Sequence, residues 1–232
     1  MYQNGVVEPR EKEGVIKYEL MFTRKAIPSN INIEQLDQWR HVLFNLALIG
    51  QDSKRYGGFG FGNISSRVVA ELALPPSRFG VSDNPFLISG SQTGHLRYLM
   101  REHFALVTEC HAKQNYVAAQ GACKPSSESM THGVLYNEFP SIGAVVHVHS
   151  PTIWRLSDVL ELSATDQSIP YGTIDMADAV VDTAKGILDQ AVEPVFVMKG
   201  HVDGVVSFGP DLPSAVSALL GVYHKAMMKS VR

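Results

Sequence analysis

Cysteine is scarce in this 232-residue chain: Cys110 and Cys123 are its only two. Two thiols without a C-x-x-C spacing make neither a disulfide framework nor a metal knuckle, so the chain is expected to fold on its own core as a reduced, cytoplasmic protein. Long apolar runs are missing as well. No segment reaches the roughly 18 consecutive apolar residues of a membrane span, and the opening MYQNGVVEPREKEG carries no apolar signal stretch. A membrane partner is therefore not expected. Nor is there an excess of one charge: 20 basic and 23 acidic residues are interspersed, with a formal net charge of -3. That leaves no basic face for a nucleic-acid backbone. The phosphate-loop spacing G-x-x-x-x-G-K-[ST], internal repeats and low-complexity tracts are also missing, so the partner class left open is a small molecule.

What the chain has is a large apolar share, 45%, enough for one sizeable core. Residues 1–30 mix charges with Pro9, Pro28 and turn formers and are expected to be an arm, ordered only where it docks; 31–232 form the domain. IEQLDQWRHVLFNLALIG spaces its apolar residues as a helix face from Ile33 to about Gly50, with Asn30 or Asn32 as cap. Short β-favouring runs follow in NISSRVV, FLIS and HFALVTEC, parted by glycine-rich and proline-rich turns. PSSESMTHGVLYNEF predicts a helix opening with a serine cap, IGAVVHVH a buried strand, and Pro151 the first position of another helix. MADAVVDTAKGILDQ, VFVMKG, VVSFG and LPSAVSALLGVYHKAMMK continue as helix, strand, strand and helix. The expected fold class is mixed α/β: a single domain with a largely antiparallel central sheet flanked by helices.

The chemistry concentrates in histidine. Residues two apart on a strand project from one face, so His147 and His149 aim both imidazoles at one point. They close an otherwise apolar strand, where unpaired imidazoles pay desolvation, and this favours a metal over two incidental histidines. Three protein ligands with an open fourth position characterise a catalytic zinc site. The third is expected to be His201, at the end of VFVMKG just before a turn. His41 and His224 fall on predicted helices, and His95, His103 and His111 in a region with no paired spacing, so none of these is expected to ligate. Glu128 stands at a predicted helix start, where an acid is stabilised by the dipole whatever its function; it is also placed to serve a metal site as base or ligand, oriented by His132 one turn on. The turn GGFGFGN, the loop SGSQTG and the pair Ser126–Ser127 offer backbone N–H groups and hydroxyls for a phosphate or carboxylate. No lysine is placed to argue for a Schiff base, although Lys124 and Lys199 stand near these motifs in sequence.

Together GNISSR at 62–67, SQTG at 91–94, PSSE at 125–128, AVVHVHSP at 144–151 and the later His201 resemble the class II aldolase/adducin family over roughly residues 35 to 225. The resemblance implies one divalent metal per subunit, zinc first and manganese, cobalt or iron as alternatives, held by His147, His149 and His201. It implies Glu128 as catalytic acid/base and Gly62, Asn63, Thr93, Gly94, Ser126 and Ser127 as phosphate-binding positions. The expected activity is that of a metal-dependent aldehyde-lyase, making or breaking a carbon–carbon bond in a small hydroxylated, phosphorylated sugar-like substrate through an enediolate. Sugar-phosphate epimerase, dehydratase and a non-catalytic metal-binding member, as the adducins are non-catalytic, are the alternatives; glutamate rather than aspartate at 128 leans away from the epimerase. A fourfold homotetramer is a further implication. Two departures stand out. The stretch that carries the catalytic tyrosine of family aldolases is short here, with Tyr171 in a different setting, and the third histidine, normally followed directly by glycine, stands in GHVDGVV. The chain also ends soon after its last helix, so no donor is expected from a tail.

Overall fold

The computed structural model describes residues 14–69, 72, 74, 77–79, 84–190 and 192–231. Strand β1 (Glu19–Arg24) is followed by α1 (Glu34–Asn45), a two-stranded ribbon of β2 (Gly50–Gln51) and β3 (Gly60–Phe61), then β4 (Asn63–Arg67), β5 (Phe86–Ser89), β6 (Phe104–His111) and β7 (Tyr116–Gly121). The second half runs α2 (Ser129–Glu138), β8 (Ala144–His149), α3 (Pro151–Leu156), β9 (Ser163–Thr165), α4 (Ile174–Gln190), β10 (Val195–Met198), β11 (Gly204–Gly209) and α5 (Leu212–Ser230). Among the described residues nine strands form one sheet in the order β1-β7-β6-β5-β4-β8-β11-β10-β9. Only its two edge pairings, β1 with β7 and β9 with β10, are parallel; the rest are antiparallel. The mixed, largely antiparallel sheet flanked by helices is thus as the sequence implies.

Alternation sorts the strand residues onto two apolar layers. Ile64, Val146, Val148, Val197 and Val205 pack on one face with α1, α3 and α5, through residues such as Leu43, Ile153 and Leu219. Val145, Val206, Phe196 and Phe208 pack on the other with α2 and α4, through Val134, Val180 and Ile187. The sheet is therefore covered on both sides: α2 is buried all round from Ser129 to Tyr136, and β8, between β4 and β11, is wholly buried. No helix among the described residues is long and apolar enough to cross a membrane.

Local differences from the sequence expectation have physical causes. Helix α1 stops at Asn45, not near Gly50, because Ala47 turns into the left-handed region (φ 54°) and sends Leu48 and Ile49 into the core toward β2. Asn32 does serve its start, accepting the Glu34 N–H at 2.8 Å. Helix α2 does not open on a serine side-chain cap: Glu128 takes the cap position, and Ser126 Oγ instead accepts the N–H of Glu128. Within the arm, Glu19–Arg24 docks as an edge strand beside β7.

Candidate metal centre and active site

His147 and His149 stand at the end of β8, paired across to β4 and β11: Asn63 and Val206 lie opposite His147, and Gly204 opposite His149. Since Val145 and Val206 face the α2–α4 layer, the same parity turns both imidazoles toward it. His201 sits in the turn from β10 to β11, where its N–H donates to Met198 O and its carbonyl accepts from Gly204 N. The three rings converge, with one ligating atom from each within 4.8 Å of the others.

All three are buried. Burial holds His147 and His149 well below the ordinary histidine range, and their nearness to His201 adds to it, so these two imidazoles are neutral. His147 Nε2 and His149 Nε2 are 3.2 Å apart. Two nitrogens bound at roughly 2.0–2.1 Å to one tetrahedral ion lie about 3.3 Å apart, so the spacing fits a shared cation. Neutral nitrogen donors with depressed basicity, aimed at one point in a buried setting, suit a borderline-soft divalent metal.

Glu128 enters from the start of α2 and is 1% exposed. Its Oε1 lies 3.9 Å from His201 Nδ1, and its Oε2 accepts the Thr131 hydroxyl at 2.9 Å. His132 does not orient it: its Nδ1 bonds Ser65 Oγ at 2.7 Å, in a buried network that continues to the Tyr136 hydroxyl. Burial pushes the His132 imidazole down to about 3. Helix periodicity placed His132 one turn beyond Glu128, but its side chain reaches across to β4.

The six expected anion-binding residues come together. Gly62, Asn63, Thr93, Gly94, Ser126 and Ser127 line one small cleft, joined by Gly14, Gly60, Gly90, Ser91 and Gln92. Among the described residues no charged side chain lines it; backbone, hydroxyl and amide groups do. The Asn63 side-chain oxygen is buried there without a hydrogen-bond partner among the described residues. Gly62 adopts φ 72°, and a Cβ at Gly94 would strike the main-chain oxygen of Gly50, so both positions need glycine. Arg40 braces the loop from behind, its guanidinium donating to the carbonyls of Thr93, Leu96 and Arg97. A larger cavity of about 380 Å³ opens at the opposite ends of β4 and β8, lined by Arg67, Gly143 and Asp211 among others. The Arg67 guanidinium there donates to the carbonyls of Ile142, Tyr136 and Phe139 and to Asn84 Oδ1.

Several contributors escaped sequence reasoning. Tyr171 lies ring on ring with His201, centroids 4.3 Å apart, and Lys17 Nζ sits 4.1 Å over its other side while donating to Tyr171 O. Tyr18 donates its hydroxyl to Ser126 O and so anchors the turn that carries Glu128. Tyr56 packs edge-on against His149, centroids 4.6 Å apart. Only Tyr56 had an adjacent signal, the glycine-rich turn that follows it. The other histidines keep away: His41 stacks on Tyr98, His103 accepts the Met100 N–H, and His111 meets Glu109. Lys199 turns to Trp154 and Asp158.

The three-layer α/β domain thus carries a buried histidine triad that could hold a metal ion, with a carboxylate beside it and an N–H and hydroxyl cleft next door. The Class II Aldolase and Adducin N-terminal domain matches residues 51–229, and the chain belongs to that family. It is 33% identical over 126 residues to a methylthioribulose-1-phosphate dehydratase of Sodalis glossinidius, covering 45% of this chain and 62% of that protein. An L-ribulose-5-phosphate 4-epimerase of Salmonella paratyphi C is 30% identical over 105 residues, covering 38% of this chain and 44% of the epimerase. The matched segments thus span less than two thirds of these relatives. The fold is that of a sugar-phosphate aldolase from Thermotoga maritima, with a TM-score of 0.62 at 17% identity over 84% of this chain and 92% of that one.

Proposed function

We propose that the protein is a metal-dependent lyase of the class II aldolase type, making or breaking a carbon–carbon bond in a small hydroxylated, phosphorylated sugar-like substrate. The observation that carries this reading is the convergence of three buried imidazoles with the Glu128 carboxylate, next to a cleft rich in anion donors. A divalent ion held by His147, His149 and His201, zinc first, would polarise a substrate carbonyl and offset the charge that develops on its oxygens. Glu128 moves the proton; the Thr131 hydroxyl on Oε2 fixes the plane of the carboxylate so that its reach toward the triad is constant. Gly62, Asn63, Thr93, Gly94, Ser126 and Ser127 hold the anionic end of the substrate through N–H and hydroxyl donors, which bind a phosphate without a formal positive charge.

A second reading, a dehydratase or epimerase using the same groups, is favoured by the curated relatives: both carry out one of these reactions on phosphorylated pentose derivatives by their names. The proposal extends to a cytoplasmic homotetramer; a monomer in light scattering at micromolar concentration would contradict the assembly.

The test begins with elemental analysis of the purified protein and of His147→Ala in buffer without added metal. Near-stoichiometric metal in the parent and its loss in the variant are expected. Phosphorylated ketoses are then screened for aldehyde release, loss of water or an inverted carbinol centre, which separates the three reactions. No metal in the parent, and none taken up on titration, would overturn the reading in favour of a non-catalytic member.

A further inference from the structure

The loop before β3 and the turn after His201 are 147 residues apart in sequence and are tied by one hydroxyl: Tyr56 Oη donates to Asp203 Oδ2 at 2.7 Å. Arg55 Nη2 donates to the same Tyr56 oxygen at 2.7 Å and to the carbonyl of His149 at 3.3 Å. On its other side the Tyr56 ring packs edge-on against the His149 imidazole. Asp203 in turn accepts the N–H of Ser150, the residue after His149, on its main-chain oxygen at 2.8 Å. A closed circuit results, from His149 through Ser150, Asp203 and Tyr56 back to His149, with His201 two residues from Asp203.

Both ends of the hydroxyl contact are held in an unfavourable backbone. Tyr56 has φ 50° and Asp203 φ 64°, a region that non-glycine residues avoid. Such conformations persist where surrounding contacts over-determine them, and they gather at sites that need a fixed geometry. Here the contacts responsible are the circuit itself.

We propose that Tyr56 and Asp203 are positioning residues: their hydrogen bond sets the separation of His149 and His201 and so the metal affinity of the triad. The inference rests on the metal-site reading above. It assigns no proton transfer to Tyr56, whose hydroxyl is engaged with Asp203 and Arg55. Partners that orient metal ligands in this way change affinity by about 10- to 100-fold when removed.

The experiment is a Co²⁺ titration of the full-length protein followed by its visible absorption, with a competing chelator to set the free ion. It compares the parent with His147→Ala, Tyr56→Phe, Asp203→Gly, Asp203→Asn and the Tyr56→Phe/Asp203→Gly pair. Glycine at 203 removes the acceptor while tolerating φ 64°, and asparagine keeps an acceptor for the tyrosine hydroxyl. Tyr56→Phe and Asp203→Gly are each expected to weaken Co²⁺ binding about 10- to 100-fold and to alter the band shape. The double variant should be no weaker than the worse single one, since one shared contact is lost in both, and Asp203→Asn should stay near the parent. Parent-like affinity and spectrum in Tyr56→Phe would overturn the proposal while leaving the metal site intact. A parent that binds no Co²⁺, like His147→Ala, would sink the metal reading and this inference with it.

Discussion

At the scale of single residues, Glu128 is the group on which turnover would depend in the proposed mechanism. It sits fully buried with one oxygen on Thr131 and the other toward His201. Glu128→Gln keeps the shape and the hydrogen bond to Thr131 but cannot take a proton. Activity is expected to fall about 10²- to 10⁴-fold, the usual worth of a positioned acid/base, with metal content unchanged in elemental analysis. Undiminished turnover would remove Glu128 from the mechanism. The residues easiest to see in the sequence were those whose role follows from local spacing. His147 and His149 share a face because strands repeat every two residues, and Glu128 lies at a helix start that its neighbours announce. Tyr56, Asp203, Tyr171, Lys17 and Arg40 were not visible in that way. Each acts on a partner more than 50 residues away or through a turn that no local pattern specifies.

Among elements, the packing of α2 on the sheet makes a prediction about acid stability. His132 carries its ring from α2 to Ser65 on β4, and burial lowers it to about 3 in the folded protein, against about 6.5 when unfolded. The unfolded chain therefore binds the extra proton first. The contribution is complete above about pH 6.5 and is lost progressively as pH falls toward the folded value. Urea unfolding of the metal-free protein between pH 6 and 4 should show stability falling, with up to about 1.4 kcal/mol per pH unit from this one group. His132→Phe should flatten the slope by that amount, Ser65 keeping its bond to Tyr136; an unchanged slope would show that His132 does not titrate in this window. Element boundaries were harder to read than element existence. The apolar period of α1 runs on through Leu46 and Leu48, yet the left-handed Ala47 ends the helix so that Leu48 can fill the core. Strands β1, β7 and β9 had no clear signal. Two are short or half-exposed edge strands, and β7 is built on the small residues Ala118 and Ala119, whose burial comes from neighbours rather than from an apolar pattern of their own.

For the whole molecule, the triad brings β8 against the β10–β11 turn, so a metal bound there would cross-link parts far apart in the chain. A ligand that binds only the folded state at 100 times its Kd stabilises by about 2.7 kcal/mol. For a domain of this size that is roughly 5–11 °C in Tm, at about 2–4 °C per kcal/mol. Calorimetry with zinc and then with a chelator should show this shift in the parent and none in His147→Ala; an equal shift in both would place the stabilising ion elsewhere. The sequence alone determined the layers and the histidine pair of β8, because hydrophobic period selects helix or strand locally and an H-x-H pair on a strand needs no distant residue to share a face. It also determined the family, through motifs that are contiguous along the chain. Only the tertiary structure decided how those motifs meet: that Gly62, Thr93 and Ser126 form one cleft, that Tyr171 stacks on His201, and that Tyr56 reaches Asp203. Those pairings follow from strand order and from packing of the layers, which are settled by the total burial of the core and not by any local run of residues.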